Sequence, residues 1–361
     1  MQKNIAIIIP TLQIGGAEKQ SIYLAKVLCK NHNINFIVLY GNMIEKKYLK
    51  IIEKERIHLI PLYGSYVNRA YKLYMVLKKS KTEYIFSYLA SGNFFNGLFG
   101  SLAGVQNRIG GIRSSELSKK KIYFERFFHN YLLTKTISNS YSAVKGLSKQ
   151  GFKKDKFSIV HNAFVNEEPL NIRDNNNCIN ILSVARFVPQ KDYFTALKAV
   201  LLLKEQLDDS KIEFKYYLIG YGILENQIRT WIEELNIEDK VNLIIKPDNL
   251  FQYFKEADIF LSTSLFEGIS NSVMEAMSYS LPIIATPAGD MEYLVKEDIN
   301  GFICAKKNPV EISIKLEKLI IDFKLRKAMG LKSYKIVSEE FALEKFQEKY
   351  NTFMKKNNEK Q

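Results

Sequence analysis

Two glutamates with seven residues between them, Glu267 and Glu275, bracket the stretch of this chain best suited to chemistry. Glu267 is followed by Gly268-Ile269-Ser270-Asn271, a small and polar run that reads as a loop. Val273, Met274, Ala276 and Met277 then recur at helical spacing, which places Glu275 two turns into a helix. Ile259 to Leu261 before the loop and Ile283 to Ala285 after the helix read as strands. A loop at the carboxyl end of a parallel strand, leading into a helix N-terminus, is where open α/β sheets bind ligands. Gly268 lets the backbone approach closely, and free amides at a helix start favour phosphate. A carboxylate repels phosphate, so the two glutamates should serve another group. Sugar hydroxyls fit, because an ionised carboxylate accepts two or more hydrogen bonds. A second reading stays open: Ser272 and Glu275 have capping-box spacing, and Glu267 could be a solvated loop carboxylate.

Cations that could face the same anion lie earlier in the chain. Ile181 to Ala185 reads as a strand with Arg186 at its carboxyl end. Val188-Pro-Gln190 turns the chain, Lys191 follows, and a helix runs from Tyr193 to Leu207. Arg186 and Lys191 thus share a strand-to-helix loop, where two cations could clamp a diphosphate or simply be surface charges. Near the N-terminus, a strand Ile5 to Ile9, Gly15-Gly16 and a helix from Ala17 form another approach site for phosphate or substrate. It lacks the Gly-x-Gly-x-x-Gly dinucleotide fingerprint. Gly110-Gly111-Ile112-Arg113 sits just past a further strand, with Arg113 as a ligand contact or a surface cation.

The elements that must hold these residues alternate strand and helix. Apolar runs at 34–40, 58–62, 84–88 and 106–110, with helical segments between most of them, predict a first βαβ domain that ends with strands at 135–138 and 158–160. Residues 166–177 are polar, carry Pro169 and form the best linker. A second alternation begins at Ile179, with strands at 214–219 and 241–245 and a short edge strand ending at Ile303. The tail from Val310 to Lys355 reads as helical.

The net charge of +14 over 361 residues suits an anionic partner, although a bias toward Lys also accounts for it. Ser118 to Leu133 is a basic, aromatic helix: Phe124, Phe127, Phe128, Tyr131 and Leu132 lie on one side, and Lys119, Lys120, Lys121 and Arg126 crowd the start and the other side. Such a helix can lie on an anionic membrane, or bury its aromatics in the domain core. Three isolated cysteines and four dispersed histidines argue against a disulfide framework or zinc site, and the lack of an Asp-x-Asp pair against a carboxylate metal site. No apolar run is long enough to span a membrane, so a cytosolic location is expected.

Four stretches in this order, IIIPTLQIGGAEKQSIYLA, VARFVPQKD, LIGYG and EADIFLSTSLFEGISNSVMEAMSYSLPIIATPAGDMEYLV, make the chain resemble a retaining glycosyltransferase of family 4, the glycosyl transferases group 1 set. The resemblance implies an α/β GT-B fold, with two Rossmann-like doubly wound domains facing across a cleft. It implies an acceptor-binding domain over 1–165, a linker over 166–177, a nucleotide-sugar-binding domain over 178–340, and a final helix, 341–361, returning to the first domain. Carried over by position, Arg186 and Lys191 hold the donor diphosphate, Glu275 accepts from the ribose hydroxyls and Glu267 touches the transferred sugar. The backbone of Gly268, Ile269, Ser270 and Asn271 helps hold phosphate and sugar, and Gly15 and Gly16 line the first-domain side. No metal or other cofactor is implied, because cations and helix termini stabilise the leaving diphosphate. Two departures stand out. Relatives often carry a histidine where this chain has Arg113 as its nearest polar residue. Ser270 and Asp290 replace a Pro and part of a Gly-Gly pair, at positions that could tune the choice of sugar.

The expected activity is therefore transfer of a hexose or N-acetylhexosamine, from a UDP-sugar ahead of GDP-mannose, to a lipid-linked oligosaccharide in bacterial-type surface polysaccharide or glycan assembly. The expected partners are the donor, that acceptor and an anionic membrane surface, with no nucleic acid. The expected location is the cytoplasm, peripheral on the inner face of the cell membrane. Transfer to a soluble acceptor, a nucleotide-sugar epimerase of the same architecture, and a non-enzymatic membrane- or nucleic-acid-binding protein are the alternatives.

Overall fold

The computed structural model describes residues 2–13, 15–113, 119–165, 176, 178–208, 210 and 212–358. The linker expected over 166–177 lies outside them apart from Asn176. The chain divides into two units: Met1–Ala163 with Leu343–Gln361, and Phe164–Ala342.

In the first unit, strands β1 (Asn4–Ile9), β2 (Asn33–Val38), β3 (His58–Pro61), β4 (Tyr84–Ser87), β5 (Asn107–Ile112), β6 (Lys135–Ser138) and β7 (Phe157–Ile159) form one parallel sheet in the order β3-β2-β1-β4-β5-β6-β7. Helices α1 (Gly16–Leu28), α2 (Lys46–Lys54), α3 (Tyr66–Lys79), α4 (Leu89–Phe95), α5 (Lys119–Phe127) and α6 (Tyr141–Lys149) connect them. A parallel sheet is covered on both faces, so its strands read as unbroken apolar runs rather than alternating ones. In β1, Ile5, Ile7 and Ile9 join the core that includes residues of α1 and α2, while Ala6 and Ile8 join the opposite core with Leu73 and Leu77 of α3.

The second unit repeats the plan. Strands β8 (Cys178–Val184), β9 (Glu213–Gly220), β10 (Val241–Ile245), β11 (Ile259–Ser262), β12 (Ile283–Ala285) and β13 (Gly301–Ile303) form a parallel sheet in the order β10-β9-β8-β11-β12-β13. The helices are α7 (Tyr193–Gln206), α8 (Glu225–Glu234), α9 (Leu250–Glu256), α10 (Asn271–Ser278), α11 (Met291–Leu294), α12 (Pro309–Ile321) and α13 (Phe323–Glu340). A last helix, α14 (Leu343–Asn358), belongs to the first unit, where Phe346, Tyr350, Phe353 and Met354 enter the core beneath β1 and α1.

Both sheets have the doubly wound order, in which the winding reverses beside the first strand. In the second sheet the reversal falls between β8 and β11. Loops leaving neighbouring strands diverge there and open a crevice at their carboxyl ends. The loop carrying Arg186 and Lys191 follows β8, and the loop carrying Glu267 and Gly268 follows β11. Topology alone therefore brings residues some eighty positions apart to one place.

Candidate active site

Three loops of the second unit meet at this point and are tied together by their backbones. Phe187, fully buried, fixes the loop after β8: its N–H donates to the Tyr221 carbonyl (2.7 Å), and its own carbonyl accepts from Leu224 (3.0 Å). Gly220 is required beside it, because a Cβ there would run into the Ala185 carbonyl. Arg186 projects into solvent, while its carbonyl accepts from the Tyr193 hydroxyl (3.0 Å). A single tight turn, Pro189–Lys191, then leads to Asp192, which adopts the left-handed conformation at the head of α7.

The loop after β11 locks onto this turn. The Leu265 N–H donates to the Gln190 carbonyl (2.8 Å), and Gln190 Nε2 donates to the Phe266 carbonyl (2.6 Å). Thr263 Oγ1 donates to the carbonyls of Lys191 (2.8 Å) and Asp192 (3.1 Å). Across this seam the Lys191 ammonium pairs with Glu267 Oε1. Both side chains are largely withdrawn from water, at 14% and 12% exposure. The turn after β12 closes the third side. Gly289 has φ of +67°, and a side chain there would strike the carbonyls of Glu267 and Gly268. The Asp290 N–H donates to the Gly268 carbonyl (2.9 Å), so Asp290 supports the loop through its backbone.

Helix α10 starts from this loop with Ser270 as its N-cap, and no side chain caps it. Ser272 is therefore inside the helix, which excludes the capping-box reading of Ser272 and Glu275. Glu275 is the fifth helical residue, one turn in rather than two, and is half-buried. The first-turn amides of an uncapped helix and the positive end of its dipole suit an anion beside Gly268, Ile269, Ser270 and Asn271. Lys191 lies beside the same loop through its pairing with Glu267. An ammonium has three donors, so bonding Glu267 leaves others for a phosphate.

In the first unit, Gly15 is the N-cap of α1 and Gly16 its first residue, one earlier than the spacing predicts. A Cβ on Gly15 would collide with the Glu18 carboxylate, which folds back over the helix start. The first turn of α1 is thus supplied with its own negative charge, unlike that of α10. Gly110 and Gly111 lie within β5, not beyond it; Arg113 is the residue that leaves the strand. Its guanidinium donates to Asn162 Oδ1, and burial pulls its pKa down. It lines a cavity of about 30 Å³ with Gln20, Tyr88, Gly111, Asn162 and Tyr350, room for about one water. Burial pushes the Tyr88 hydroxyl up to about 12, so it stays protonated at neutral pH.

The basic, aromatic helix departs from its expected face. After α5 the chain makes a π-helical turn, Phe128–Leu132, and the wider turn rotates the residues that follow. Phe128 is buried and Leu132 half-buried, whereas Phe124, Phe127 and Tyr131 are exposed, joined by exposed Tyr123. The expected single aromatic side is thus divided between core and solvent. Arg126, expected with the free cations, donates to the Gln150 carbonyl (3.0 Å). Two polar residues here escape a reading by periodicity. Glu125 is buried and accepts from Asn93 Nδ2 (3.0 Å), and burial pushes it up to about 7. Asn93 in turn exchanges hydrogen bonds with the backbone of Gly111.

No helix among the described residues is long and apolar enough to cross a membrane. Among them, no group of three or more His, Cys, Asp or Glu side chains could hold a metal ion.

Comparison with known proteins bears on the family and the fold. Residues 166–336 match the family described as glycosyl transferases group 1. The chain is 27% identical to an uncharacterised glycosyltransferase of Haemophilus influenzae, over 93% of this chain and 95% of that one. It is 22% identical to a Campylobacter jejuni α-1,4-N-acetyl-D-galactosaminyltransferase acting on a GalNAc-containing undecaprenol diphosphate saccharide, covering 90% of this chain and 91% of that one. Its fold is similar to that of HepE of Anabaena, solved in complex with UDP, with a TM-score of 0.78, 16% identity and coverage of 99% and 100%.

Proposed function

We propose that the chain, which has the GT-B fold and matches the glycosyl transferases group 1 family over residues 166–336, is a glycosyltransferase of that group that moves a hexose or N-acetylhexosamine, with retention of anomeric configuration, from a UDP-sugar to a lipid-linked oligosaccharide. The observation that carries this reading is the meeting of Arg186, Lys191, the uncapped start of α10 and the Glu267–Glu275 pair at the β8/β11 reversal. Arg186 and Lys191 neutralise the diphosphate as it leaves with the electron pair of its bond to the anomeric carbon. Glu275 accepts from the ribose hydroxyls, and Glu267 accepts from a hydroxyl of the sugar. The acceptor oxygen forms the new bond on the face the diphosphate leaves, and its proton passes to a diphosphate oxygen. The UDP bound by HepE and the polyprenyl-linked acceptor of the Campylobacter relative support this choice of donor and acceptor. Arg113 and its neutral neighbours supply acceptor-side polar contacts, in place of a histidine.

A panel of UDP- and GDP-sugars, incubated with the protein and a membrane lipid extract, tests the reading. The expected product gains one sugar from a UDP donor, keeps the donor's anomeric configuration and forms equally well in EDTA, because protein cations carry the charge neutralisation. An inverted linkage, a free epimer formed without acceptor, or a loss in EDTA restored by a divalent ion would each contradict it.

Attachment to an anionic membrane follows from the same proposal. Tyr123, Phe124, Phe127 and Tyr131 expose between 48% and 68% of their surface, next to exposed Lys120 and Lys121. Aromatic rings beside cations suit the interface of an anionic bilayer, where each lysine adds about 1 kcal/mol. Replacing Lys119, Lys120 and Lys121 by Glu is expected to release the protein from anionic vesicles while leaving UDP-sugar hydrolysis intact. Unchanged sedimentation with the vesicles would end the assignment.

A further inference from the structure

Glu267 offers only half of its carboxylate. Lys191 Nζ and Ser264 Oγ both donate to Oε1, the latter at 2.9 Å. Among the described residues, Oε2 receives no hydrogen bond, although the side chain is only 12% exposed. Oε2 keeps some contact with solvent, so a ligand hydroxyl can reach it and replace water there. Ser264 is itself fixed. It is 2% exposed, and its carbonyl accepts from the Thr286 hydroxyl at 2.5 Å. The Thr286 N–H donates to the Ser262 carbonyl, so the residue after β12 holds both the end of β11 and the start of its loop.

We propose that Ser264 is a positioning residue, which with Lys191 clamps Oε1 of Glu267 so that Oε2 faces the hydroxyl of the sugar being transferred. This rests on the donor-site reading given above, which assigns Glu267 to the sugar. A carboxylate rotates readily about its last bond, and one pinned oxygen removes that freedom before the substrate arrives. Pre-organisation of this kind contributes to the chemical step and not to nucleotide affinity. Ser264 is only 2% exposed, so it presents little surface to a diphosphate or ribose.

Four proteins decide the matter: the wild type, Ser264→Ala, Glu267→Gln and the double variant. Each is titrated with UDP by calorimetry and assayed for single turnover of UDP-glucose and UDP-N-acetylgalactosamine. Ser264→Ala is expected to bind UDP within about twofold of wild type and to turn over about tenfold more slowly, the scale of one hydrogen bond to a charged group. In the Glu267→Gln background the same change is expected to cost nothing further, because the clamp has lost its object. Ser264→Thr, which keeps the hydroxyl, is expected to recover most of the rate. An equal loss in both backgrounds would mean that the serine only supports the fold. No loss in either would mean that the bond is idle. Both results overturn the proposal while leaving the donor site standing. A wild-type protein that neither binds UDP nor turns over either sugar nucleotide overturns the donor-site reading and this one with it.

Discussion

Lys191→Ala and Arg186→Ala are each expected to lower turnover roughly 100-fold or more, because each removes a cation that meets charge developing on the departing diphosphate. The two variants differ in a second respect. Arg186 is exposed, and its removal should leave the unfolding temperature nearly unchanged. Lys191 is the partner of a carboxylate that is only 12% exposed. Removing one member of a buried pair strands the other, at a cost on the order of 3 kcal/mol. Lys191→Ala should therefore melt several degrees lower, and Lys191→Arg should keep most of that stability. Single-turnover rates beside thermal scans make the test. Near-normal turnover by both alanine variants would remove these residues from the donor site.

Glu275→Gln and Glu267→Gln are expected to fail in different assays. Glu275 lies one turn inside α10, behind the helix start that would receive phosphate, whereas Glu267 lies in the loop ahead of it. A glutamine keeps the shape but accepts less well from two hydroxyls. Glu275→Gln should weaken free UDP about tenfold or more, since a hydrogen bond to a charged group contributes about 1.5–3 kcal/mol. Glu267→Gln should leave UDP nearly untouched and slow transfer instead, because its contact strengthens as charge develops on the sugar. Calorimetry with UDP alone, set beside transfer rates, separates the two. Reversal of the pattern would exchange the roles, and no effect in either assay would make the pair structural.

The fold was legible because parallel strands buried on both faces leave uninterrupted apolar runs, as at Ile5 to Ile9 and Ile283 to Ala285. Strand–helix alternation pointed to βαβ units, and the doubly wound order was implied by the family resemblance. Short or irregular helices were not legible. Helix α9 carries only one buried residue, Phe254, and sends no periodic signal. The π-helical turn at Phe128–Leu132 breaks the constant advance per residue on which helical spacing depends, so Phe128 and Tyr131 part company. At the site, glutamate spacing and loop cations were visible in the sequence. The bond from Ser264 to Glu267 was not, because Ser264 falls in a small polar run that any loop could contain. Nor was Ser270 as the cap of α10, since Ser272 offers the same chemistry two residues later.

Helix α14 has a bearing on how the protein is made. Phe346, Tyr350, Phe353 and Met354 belong to the same core as β1, yet they follow the whole of the second unit in the chain. Domains generally fold in the order in which they leave the ribosome. Here the stretch Phe164–Ala342 is complete before the first unit has its final helix. The strands of the first unit must wait, with part of their apolar face open, until the second unit and then α14 have left the ribosome. A premature stop a few residues upstream of Leu343 would spare every residue proposed to hold the sugar nucleotide and still leave the N-terminal half unfinished.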